Sequence, residues 1–373
     1  MILRIFFFVL TAAFTKFSAV EQVSDERVTV FESGLDGYHT FRIPAIIKST
    51  NGTLLAFAEG RKARRDDFGD IDIVLKRSAD DGKTWSELHV VQDDSLWQVG
   101  NPCPVVDRKS GRIFLLFCGS HDSEDDLIAG KGSREIYLSF SDDDGQTWSH
   151  RRNITAMTKK VNWRWYATGP CSGLQIHQGK YKDRLVVPAN HSEHNAGEQW
   201  QYRAHSLYSD DRGLTWKIGE SSEAGGNETQ IAEVAPDLLM QDVRMQQHGQ
   251  GVRAVRFSRD GGATWSPLQH DPDRPCPICQ GSLISLNSPN AGKVNTLIAS
   301  NPAGGGRKGM TLRLSEDGGK SWYKKQVLHA GPSAYSGLVK LNDDTVGCLF
   351  EMGIEHAYER IVFQWCAIVL LRN

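Results

Sequence analysis

The sequence predicts an all-β fold, a six-bladed β-propeller, from one repeated octapeptide, the spacing of its copies and the short apolar runs between them. Five octapeptides match the pattern Ser-x-Asp-x-Gly-x-Thr/Ser-Trp, and their starts are separated by 63, 68, 49 and 57 residues. One such octapeptide occurs in ordinary hairpin loops, whereas five that keep every key position indicate a structural repeat. The copies are Ser78–Trp85, Ser141–Trp148, Ser209–Trp216, Ser258–Trp265 and Ser315–Trp322.

The residue types within each octapeptide are those of a hairpin turn. The Asp carboxylate can accept backbone N–H groups of its own turn, and Gly supplies the positive φ that the turn requires. We expect the Trp to begin the next strand and to pack into the core beneath the turn.

The segments between the octapeptides are typical of short strands. A repeat of about 50–70 residues suits one four-stranded sheet, which is a propeller blade. Five copies imply about six blades, because one blade can lack the octapeptide and be closed by both chain ends. The apolar run Ile361–Leu370 is the candidate closing strand. Further predicted strands contain Thr53–Ala58, Ile113–Phe117, Leu185–Val187 and Thr296–Ala299.

Residues 1–20 have the pattern of a secretory signal peptide, and residues 21–373 are assigned to a single domain. Arg4 precedes the apolar run Ile5–Phe14, and Ser18 and Ala19 offer a cleavage region. That run is shorter than the roughly 20 apolar residues of a membrane span, and a buried first strand is the alternative interpretation. We expect a mature protein of the secretory pathway, extracellular or lysosomal, without a transmembrane segment and either soluble or peripherally membrane-associated. Four sequons fit a glycoprotein: Asn51, Asn153, Asn190 and Asn227.

Charge and cysteine content exclude several partner classes. The formal net charge of −2 argues against a nucleic-acid partner. Cys276 and Cys279 form a CxxC without the second pair that a zinc ribbon needs, and the twelve His show no HExxH spacing. We therefore expect neither a metal nor a cofactor. Seven cysteines leave at least one free or paired between chains, and a structural disulfide stays open. Five are expected to be buried: Cys103, Cys118, Cys171, Cys348 and Cys366.

The segment Phe41–Pro44 resembles the FRIP motif of the sialidase (neuraminidase) superfamily, and the octapeptides resemble its Asp-box (BNR) repeats. The resemblance extends from about Val28 to the C-terminus. It implies a propeller of the sialidase type. It also implies an exo-α-sialidase that hydrolyses terminal α-linked sialic acids of glycoproteins, gangliosides and oligosaccharides with retention of configuration.

The resemblance implies three arginines that bind the substrate carboxylate. They are Arg42 of the FRIP segment, Arg244, which lies 16 residues after Glu228, and Arg307, which lies eight residues before the last octapeptide. A guanidinium group suits this task because its planar fork stays charged and grips a carboxylate through two parallel hydrogen bonds.

The same resemblance assigns the catalytic groups. Tyr335 is the expected nucleophile and Glu228 the base that polarises its hydroxyl. A carboxylate nucleophile would approach against the negative charge of the substrate, and sialidases depart from the two-carboxylate scheme by using tyrosine. Asp67 is the expected acid/base because it stands 25 residues after Arg42, and Asp66 is the neighbouring alternative.

Further residues take secondary roles by resemblance. Arg61 is expected near the sugar O4 region, Asn101 in the substrate pocket, and Glu351 beneath the first arginine, with Glu59 also supporting the site. Four aromatic residues could line an N-acyl pocket, although packing is the favoured interpretation for each of them: Trp163, Trp165, Trp200 and Tyr202.

Other functions remain open from the sequence. A non-catalytic sialoglycan-binding propeller would keep the repeats and could use the arginines, but it would not need Tyr335, Glu228 and Asp67 together. A trans-sialidase shares the site and usually adds a lectin-like domain. A propeller glycosidase with paired carboxylates is disfavoured by the arginine set. The oligomeric state is undetermined, and the expected partners are sialylated glycans.

Overall fold

The computed structural model describes residues 26–194, 199–286 and 294–372. The predicted signal peptide, residues 1–20, lies outside the described residues. The fold is all-β, as predicted: within these ranges, strands dominate and the helices have four or five residues each. In the described part of the chain no helix is both long and apolar enough to cross a membrane. The helices are α1 (Glu124–Ile128), α2 (Thr155–Thr158) and α3 (Ile368–Arg372).

The described strands pair almost entirely antiparallel, in four sheets. In an eight-stranded sheet, a single parallel pairing of Ile71 with Gln98 joins two groups of strands. That sheet contains β2 (Thr40–Lys48), β3 (Leu54–Arg61), β4 (Ile71–Ser78), β5 (His89–Gln92), β6 (Gln98–Val106), β7 (Ile113–Ser120), β8 (Arg134–Ser141) and β9 (Arg152–Asn153).

Two smaller sheets follow along the chain. The first contains β10 (Trp163–Thr168), β11 (Leu174–Gln175), β12 (Leu185–Glu193), β13 (Gln201–Ser209) and β14 (Lys217–Ile218). The second contains β15 (Gly226–Ala235), β16 (Leu238–Met245), β17 (Val252–Ser258) and β18 (Gln269–Pro275).

The remaining sheet brings the two ends of the described chain together. It contains β1 (Arg27–Glu32), β19 (Ser282–Ser285), β20 (Leu297–Pro302), β21 (Lys308–Ser315), β22 (Lys324–Lys340), β23 (Thr345–Met352) and β24 (Arg360–Ala367).

The candidate closing strand falls in β24, which pairs antiparallel with β1. It ends at Ala367, however, so the prediction of a strand through Leu370 is wrong for its last residues. Helix α3 follows instead, because Ile368 and Leu371 bury their side chains at helical spacing in the core formed by β21–β24. The other predicted apolar runs lie in β3, β7, β12 and β20, which confirms them.

Each octapeptide closes a turn through its Ser and Asp side chains. In the first copy, the Ser78 hydroxyl accepts the N–H of Gly82 at 2.8 Å. The Asp80 carboxylate accepts the Thr84 N–H at 2.9 Å and the Thr84 hydroxyl at 2.6 Å. These hydrogen bonds from Thr84 lower the pKa of Asp80 to about 2. The other four copies repeat the pattern.

Both the backbone conformation and the surrounding space require glycine at position 82 of this turn. Its φ is +94°, and a Cβ there would lie 2.3 Å from the ring of Phe363. Gly52 has a similar φ of +93° in a different turn, but its nearest neighbour would lie 3.9 Å away. A side chain at position 52 would therefore strain only the backbone, whereas a side chain at position 82 would strain the backbone and also clash with Phe363.

The Trp of the octapeptide packs inward as predicted, with Trp216, Trp265 and Trp322 buried. The prediction that it begins the next strand is wrong, since Trp85 precedes β5 by four residues. The reason is local: the Trp85 indole N–H donates to the Gly82 carbonyl at 3.0 Å, which folds this residue back over the turn.

All seven cysteines are buried free thiols, including the five that were expected to behave as buried hydrophobes. The sequon residues divide differently. Asn51 and Asn153 are exposed, whereas Asn190 and Asn227 are 0% and 7% exposed. The interpretation of Asn190 and Asn227 as glycan acceptors is therefore wrong for the folded chain, because both side chains are buried and line a cavity rather than the outer surface.

Candidate functional site

A polar cavity of about 120 Å³ brings together nine of the ten predicted site residues. The tenth, Glu351, is fully buried beneath the cavity. The strands β2, β3, β15, β16 and β22 supply six of the nine predicted side chains that line the cavity. The predicted residues that line it are Arg42, Glu59, Arg61, Asp67, Asn101, Glu228, Arg244, Arg307 and Tyr335.

Tyr335, Glu228 and Arg244 form one hydrogen-bonded group. Strands β15 and β16 pair antiparallel with Thr229 opposite Val243, which places Glu228 beside Arg244 although 16 residues separate them in sequence. The Tyr335 hydroxyl lies 2.6 and 2.8 Å from the two carboxylate oxygens of Glu228. It also accepts a hydrogen bond of 2.8 Å from Nη1 of Arg244.

The ionisation of Tyr335 reflects this setting. Its burial and the negative charge of Glu228 raise the pKa of the phenol well above the usual value, although Arg244, Arg307 and Arg42 act in the opposite direction. The phenol is therefore neutral at physiological pH, and a reaction at its oxygen needs a proton acceptor. Glu228 is the carboxylate in hydrogen-bond contact with it.

Glu351 holds the floor of the cavity together. Its carboxylate accepts from Nε and Nη2 of Arg42 at 3.1 and 3.3 Å. It also accepts the backbone N–H of Ile43 at 2.9 Å and that of Tyr335 at 3.0 Å. Ile43 has a φ of +57°, a rare conformation for a β-branched residue, and this turn directs its N–H toward Glu351. One carboxylate thus positions both an arginine and the tyrosine.

The guanidinium groups of Arg307 and Arg244 differ in how fully they are hydrogen-bonded. Arg307 is half-buried and donates to the Tyr358 hydroxyl at 2.7 Å and to the Ile278 carbonyl at 3.2 Å. Nε of Arg244 and Oδ1 of Asn227 are buried atoms without a hydrogen-bond partner in the described chain. An unmet buried donor costs about 1–3 kcal/mol, so a ligand that supplies an acceptor at Arg244 would be stabilised here.

Asp67 lies at the mouth of the cavity in the loop between β3 and β4. Its side chain is 72% exposed and lies 2.7 Å from Arg61 and 3.5 Å from Arg42. Desolvation raises the pKa of Asp67, but the charges of Arg61 and Arg42 outweigh it and lower the pKa overall. Asp66 points elsewhere, to Arg64 at 2.9 Å. The geometry therefore favours Asp67 over its neighbour as the group that faces a ligand.

Glu59 connects two further predicted residues. One carboxylate oxygen accepts from Nε and Nη2 of Arg61 at 3.2 and 2.7 Å, and the other accepts the N–H of Asn101 at 2.9 Å. Glu59 and Arg61 are two positions apart on β3, so both side chains leave the same face of the strand. Asn101 has a φ of +55° at an irregularity in β6, which turns its N–H toward Glu59.

The wall opposite the arginines is built in part from Glu124 and Arg134, which no sequence motif marks as functional. Glu124 of α1 contacts the Tyr202 hydroxyl, and burial raises the pKa of Glu124 to about 7. Fully buried Arg134 donates to Asn101 at 2.7 Å and stacks on Trp165 at 4.1 Å. Trp165 and Tyr202 line the cavity, contrary to the favoured packing interpretation, which holds only for Trp163 and Trp200. Further polar lining residues are Gln98, Asn190, Asn227 and Gln246.

Comparison with known proteins identifies the family of this chain. Residues 52–348 match the family model of the BNR repeat-like domain. The chain is 32% identical to a sialidase of Micromonospora viridifaciens, over 89% of this chain and 53% of that protein. It is also 32% identical to an exo-α-sialidase of Aspergillus fumigatus, over 84% of this chain and 79% of that protein.

A solved structure, the Hadza microbial sialidase Hz136, superposes with a TM-score of 0.80 at 28% identity. The superposition covers 92% of this chain and 68% of that one. The chain spans only about half the length of the Micromonospora relative. With the repeat family matched over most of the chain and a 32% identical relative covered over 79% of its length, this chain belongs to the sialidase superfamily.

Proposed function

We propose that this protein is an exo-α-sialidase that hydrolyses terminal α-linked sialic acids of glycoproteins, gangliosides and oligosaccharides. One observation carries the proposal: the Tyr335 hydroxyl is held by Glu228 in a cavity that also contains Arg42, Arg244 and Arg307. A neutral nucleophile with its own base, surrounded by cations, suits an anionic sugar. A binding platform without catalysis has no need for the tyrosine–glutamate pair.

The proposed scaffold is a six-bladed propeller. Six antiparallel groups of strands support this: β2–β5, β6–β9, β10–β14, β15–β18, β19–β22, and the second half of β22 with β23, β24 and β1. The long β22 serves two of these groups, because residues 324–332 pair with β21 and residues 333–340 pair with β23. The pairing of β1 with β24 would close the ring.

The proposed binding step places the substrate carboxylate among the three arginines. Glu351 occupies Nε and Nη2 of Arg42 and leaves Nη1 facing the cavity, where Asp67 is its partner at 3.5 Å. The unpartnered Nε of Arg244 offers another donor. Arginine–carboxylate hydrogen bonds of this kind are charge-assisted and geometrically specific.

In the proposed chemical step, the oxygen of Tyr335 attacks the anomeric carbon as the bond to the leaving oxygen breaks. The phenolic proton passes to Glu228, and Arg244 stabilises the negative charge that develops on the phenolic oxygen. Asp67 donates a proton to the leaving oxygen. In the second step Asp67 removes a proton from water, which attacks the same carbon, and Glu228 returns the proton to Tyr335. Two displacements at one carbon retain its configuration.

The substrate itself would prepare Asp67 for this role. In the free protein, Arg61 and Arg42 lower the pKa of Asp67, which favours the ionised form. A substrate carboxylate bound to Arg42 would neutralise part of that charge and raise the pKa of Asp67. The proton is then held when the leaving group needs it.

The opposite wall would bind the rest of the sugar. Glu124, Tyr202, Asn227 and Gln246 are hydrogen-bonding groups that suit a polyol chain, and Trp165 offers an apolar face for an N-acyl group. The proposed partners are sialylated glycans. The proposed location is the secretory pathway, extracellular or lysosomal, which depends on residues 1–20 acting as a signal peptide.

A fluorinated sialic acid that slows breakdown of the intermediate tests the proposal. We expect peptide mass spectrometry to find the label on Tyr335, and NMR to show the retained anomer as the first product. Tyr335→Phe removes labelling, whereas Tyr358→Phe, which removes a hydroxyl that holds Arg307, keeps it. Labelling of another residue, or first release of the inverted anomer, would contradict the mechanism. A folded wild-type protein without turnover at any pH would favour the binding module.

A further inference from the structure

The CxxC segment Cys276–Cys279 lies in the loop between β18 and β19, directly behind the site described above. Both residues are free thiols, with 7% and 0% of their surface exposed. They pack in one apolar cluster with Ile43 and Tyr335. The mechanism uses neither thiol, so the pair needs another explanation.

The loop backbone holds one of the cavity arginines. The carbonyl of Ile278, between the two cysteines, accepts from Nη2 of Arg307 at 3.2 Å. The carbonyl of Cys279 accepts from the buried Arg253 at 2.8 Å. The loop is therefore one of two anchors of Arg307, together with the Tyr358 hydroxyl.

The loop is also tied to the backbone beside Tyr335. Gln280, which follows the second cysteine, donates to the Ser336 carbonyl at 3.0 Å and accepts the Ser336 N–H at 2.9 Å. Ser336 is the next residue after Tyr335. A movement of the loop is thus transmitted to the tyrosine as well as to Arg307.

One of the two thiols can be reached from outside. Cys276, Pro277 and Ile278 line a second cavity of about 440 Å³, which shares Arg244 and Gln246 with the catalytic cavity. Cys279 lies deeper and does not line it. Cys276 is therefore placed to react first with a small oxidant, and Cys279 to resolve the product.

We propose that Cys276 and Cys279 form a reversible disulfide that controls the anchoring of Arg307, with a low-molecular-weight disulfide such as oxidised glutathione as the oxidant. The Cys276 thiolate attacks one glutathione sulfur, and the first glutathione leaves as a thiol. The Cys279 thiolate then attacks the Cys276 sulfur and releases the second glutathione. Two protein thiols are oxidised, one disulfide is reduced to two thiols, and the two protons end on glutathione.

Oxidation is expected to weaken substrate binding. In the reduced form, the Cys276 thiol donates to the Pro277 carbonyl at 3.0 Å and lies 3.4 Å from the Cys279 carbonyl. A sulfur–sulfur bond of about 2.0 Å draws both side chains away from these contacts and tightens the loop. Pro277 has a fixed φ, so the Ile278 peptide takes up the change. Its carbonyl then leaves Arg307.

The test compares the full-length protein equilibrated in reduced and in oxidised glutathione. Acid quenching, alkylation and peptide mass spectrometry measure the disulfide, and a fluorogenic sialic acid substrate gives KM and kcat. We expect a Cys276–Cys279 crosslink and a KM that rises about tenfold on oxidation, the loss of one charge-assisted hydrogen bond. The KM response should reverse with dithiothreitol.

Two variants complete the test. Cys276→Ser keeps a donor for the Pro277 carbonyl and should lose the KM response, whereas Cys118→Ser, a buried thiol in another cluster, should keep it. An uncrosslinked wild-type protein in oxidised glutathione, or equal KM values in both forms, overturns the proposal. The KM readout rests on the proposed sialidase function, but the crosslink does not. A protein that crosslinks without turnover in either form would therefore contradict the proposed function alone.

Discussion

Replacement of Glu351 by Gln removes the negative charge that holds both Arg42 and Tyr335 in position. The carboxylate is fully buried and accepts four hydrogen bonds, two from Arg42 and one each from the N–H groups of Ile43 and Tyr335. An amide presents one acceptor oxygen and one NH2 group. In either orientation of the amide, its NH2 group faces one N–H of Arg42 and one backbone N–H, so that donors face donors.

The expected cost follows from this geometry. Arg42, only 4% exposed, would keep its charge and lose its buried partner. Breaking a buried ion pair in this way costs about 3–5 kcal/mol. Since domains are stable by about 5–15 kcal/mol, Glu351→Gln should remain folded at 25 °C. A displaced Arg42 and Tyr335 should lower kcat/KM about 10–100-fold.

Glu233→Gln provides a matched control. Glu233 is 2% exposed and accepts the backbone N–H groups of His177 and Gln178 at 2.8 and 3.0 Å, but it does not line the catalytic cavity. The Glu233→Gln variant should lose about 1–3 kcal/mol of its free energy of unfolding and keep the wild-type kcat/KM. Urea unfolding and steady-state kinetics on a fluorogenic substrate measure both quantities.

The two variants separate positioning from general destabilisation. If Glu351→Gln loses no more stability than Glu233→Gln, the buried ion pair with Arg42 is not the supporting interaction. If Glu351→Gln keeps wild-type kcat/KM, Arg42 and Tyr335 do not depend on this carboxylate for their positions. Either result would refute the reasoning.

Three other experiments on substituted proteins are expected to give separable results. Asp67→Ala should slow natural glycans far more than an activated aryl sialoside, which needs no proton for its leaving group, whereas Asp66→Ala should not. Burial lowers the pKa of His191 from 6.5 to about 4, so this residue alone should contribute about 2 kcal/mol to the stability lost between pH 8 and pH 5. Urea unfolding should show that His191→Asn loses about that much less than the wild-type protein, in which His177 and His205 also have lowered pKa values. Gly82→Ala should destabilise more than Gly52→Ala in thermal unfolding, since both have positive φ but only Gly82 is sterically closed.

The strands and turns could be predicted because their determinants are local. The octapeptide carries its own hydrogen-bond acceptors, so the turn forms wherever Ser, Asp and Gly recur. The link between Glu228 and Arg244 is also nearly local, since one antiparallel hairpin joins them. The prediction that Trp85 begins a strand failed because it did not take into account the indole hydrogen bond to the glycine three residues earlier, which recurs at Trp265.

The opposite wall of the cavity could not be predicted, because it is assembled from distant segments. Glu124 occurs in an acidic run that resembles any solvated surface helix, and it gains its environment only from Tyr202, 78 residues later. Arg134 of β8 reaches Asn101 of β6 across the single intervening strand β7, and neither residue stands in a recognisable motif with the other. The interpretation of Asn190 and Asn227 as glycan acceptors failed for the same reason, since their burial is a property of the assembled sheets.

As the pH falls, protonation of Asp67 is expected to favour catalysis, whereas the proton uptake linked to His191 is expected to lower the stability of the fold. The charges of Arg61 and Arg42 lower the pKa of Asp67, so its protonated, acid form becomes more populated as the pH falls. The unfolded chain takes up a proton at His191 near pH 6.5 and the folded chain only near pH 4, so the free energy of unfolding falls over that window. We therefore expect the pH that maximises product after prolonged incubation to lie above the pH that maximises the initial rate. Progress curves of a natural sialoside at a series of pH values measure both maxima. His191→Asn should narrow the gap between the two maxima without closing it, because His177 and His205 also have lowered pKa values. Coincident maxima in the wild-type protein would contradict the argument.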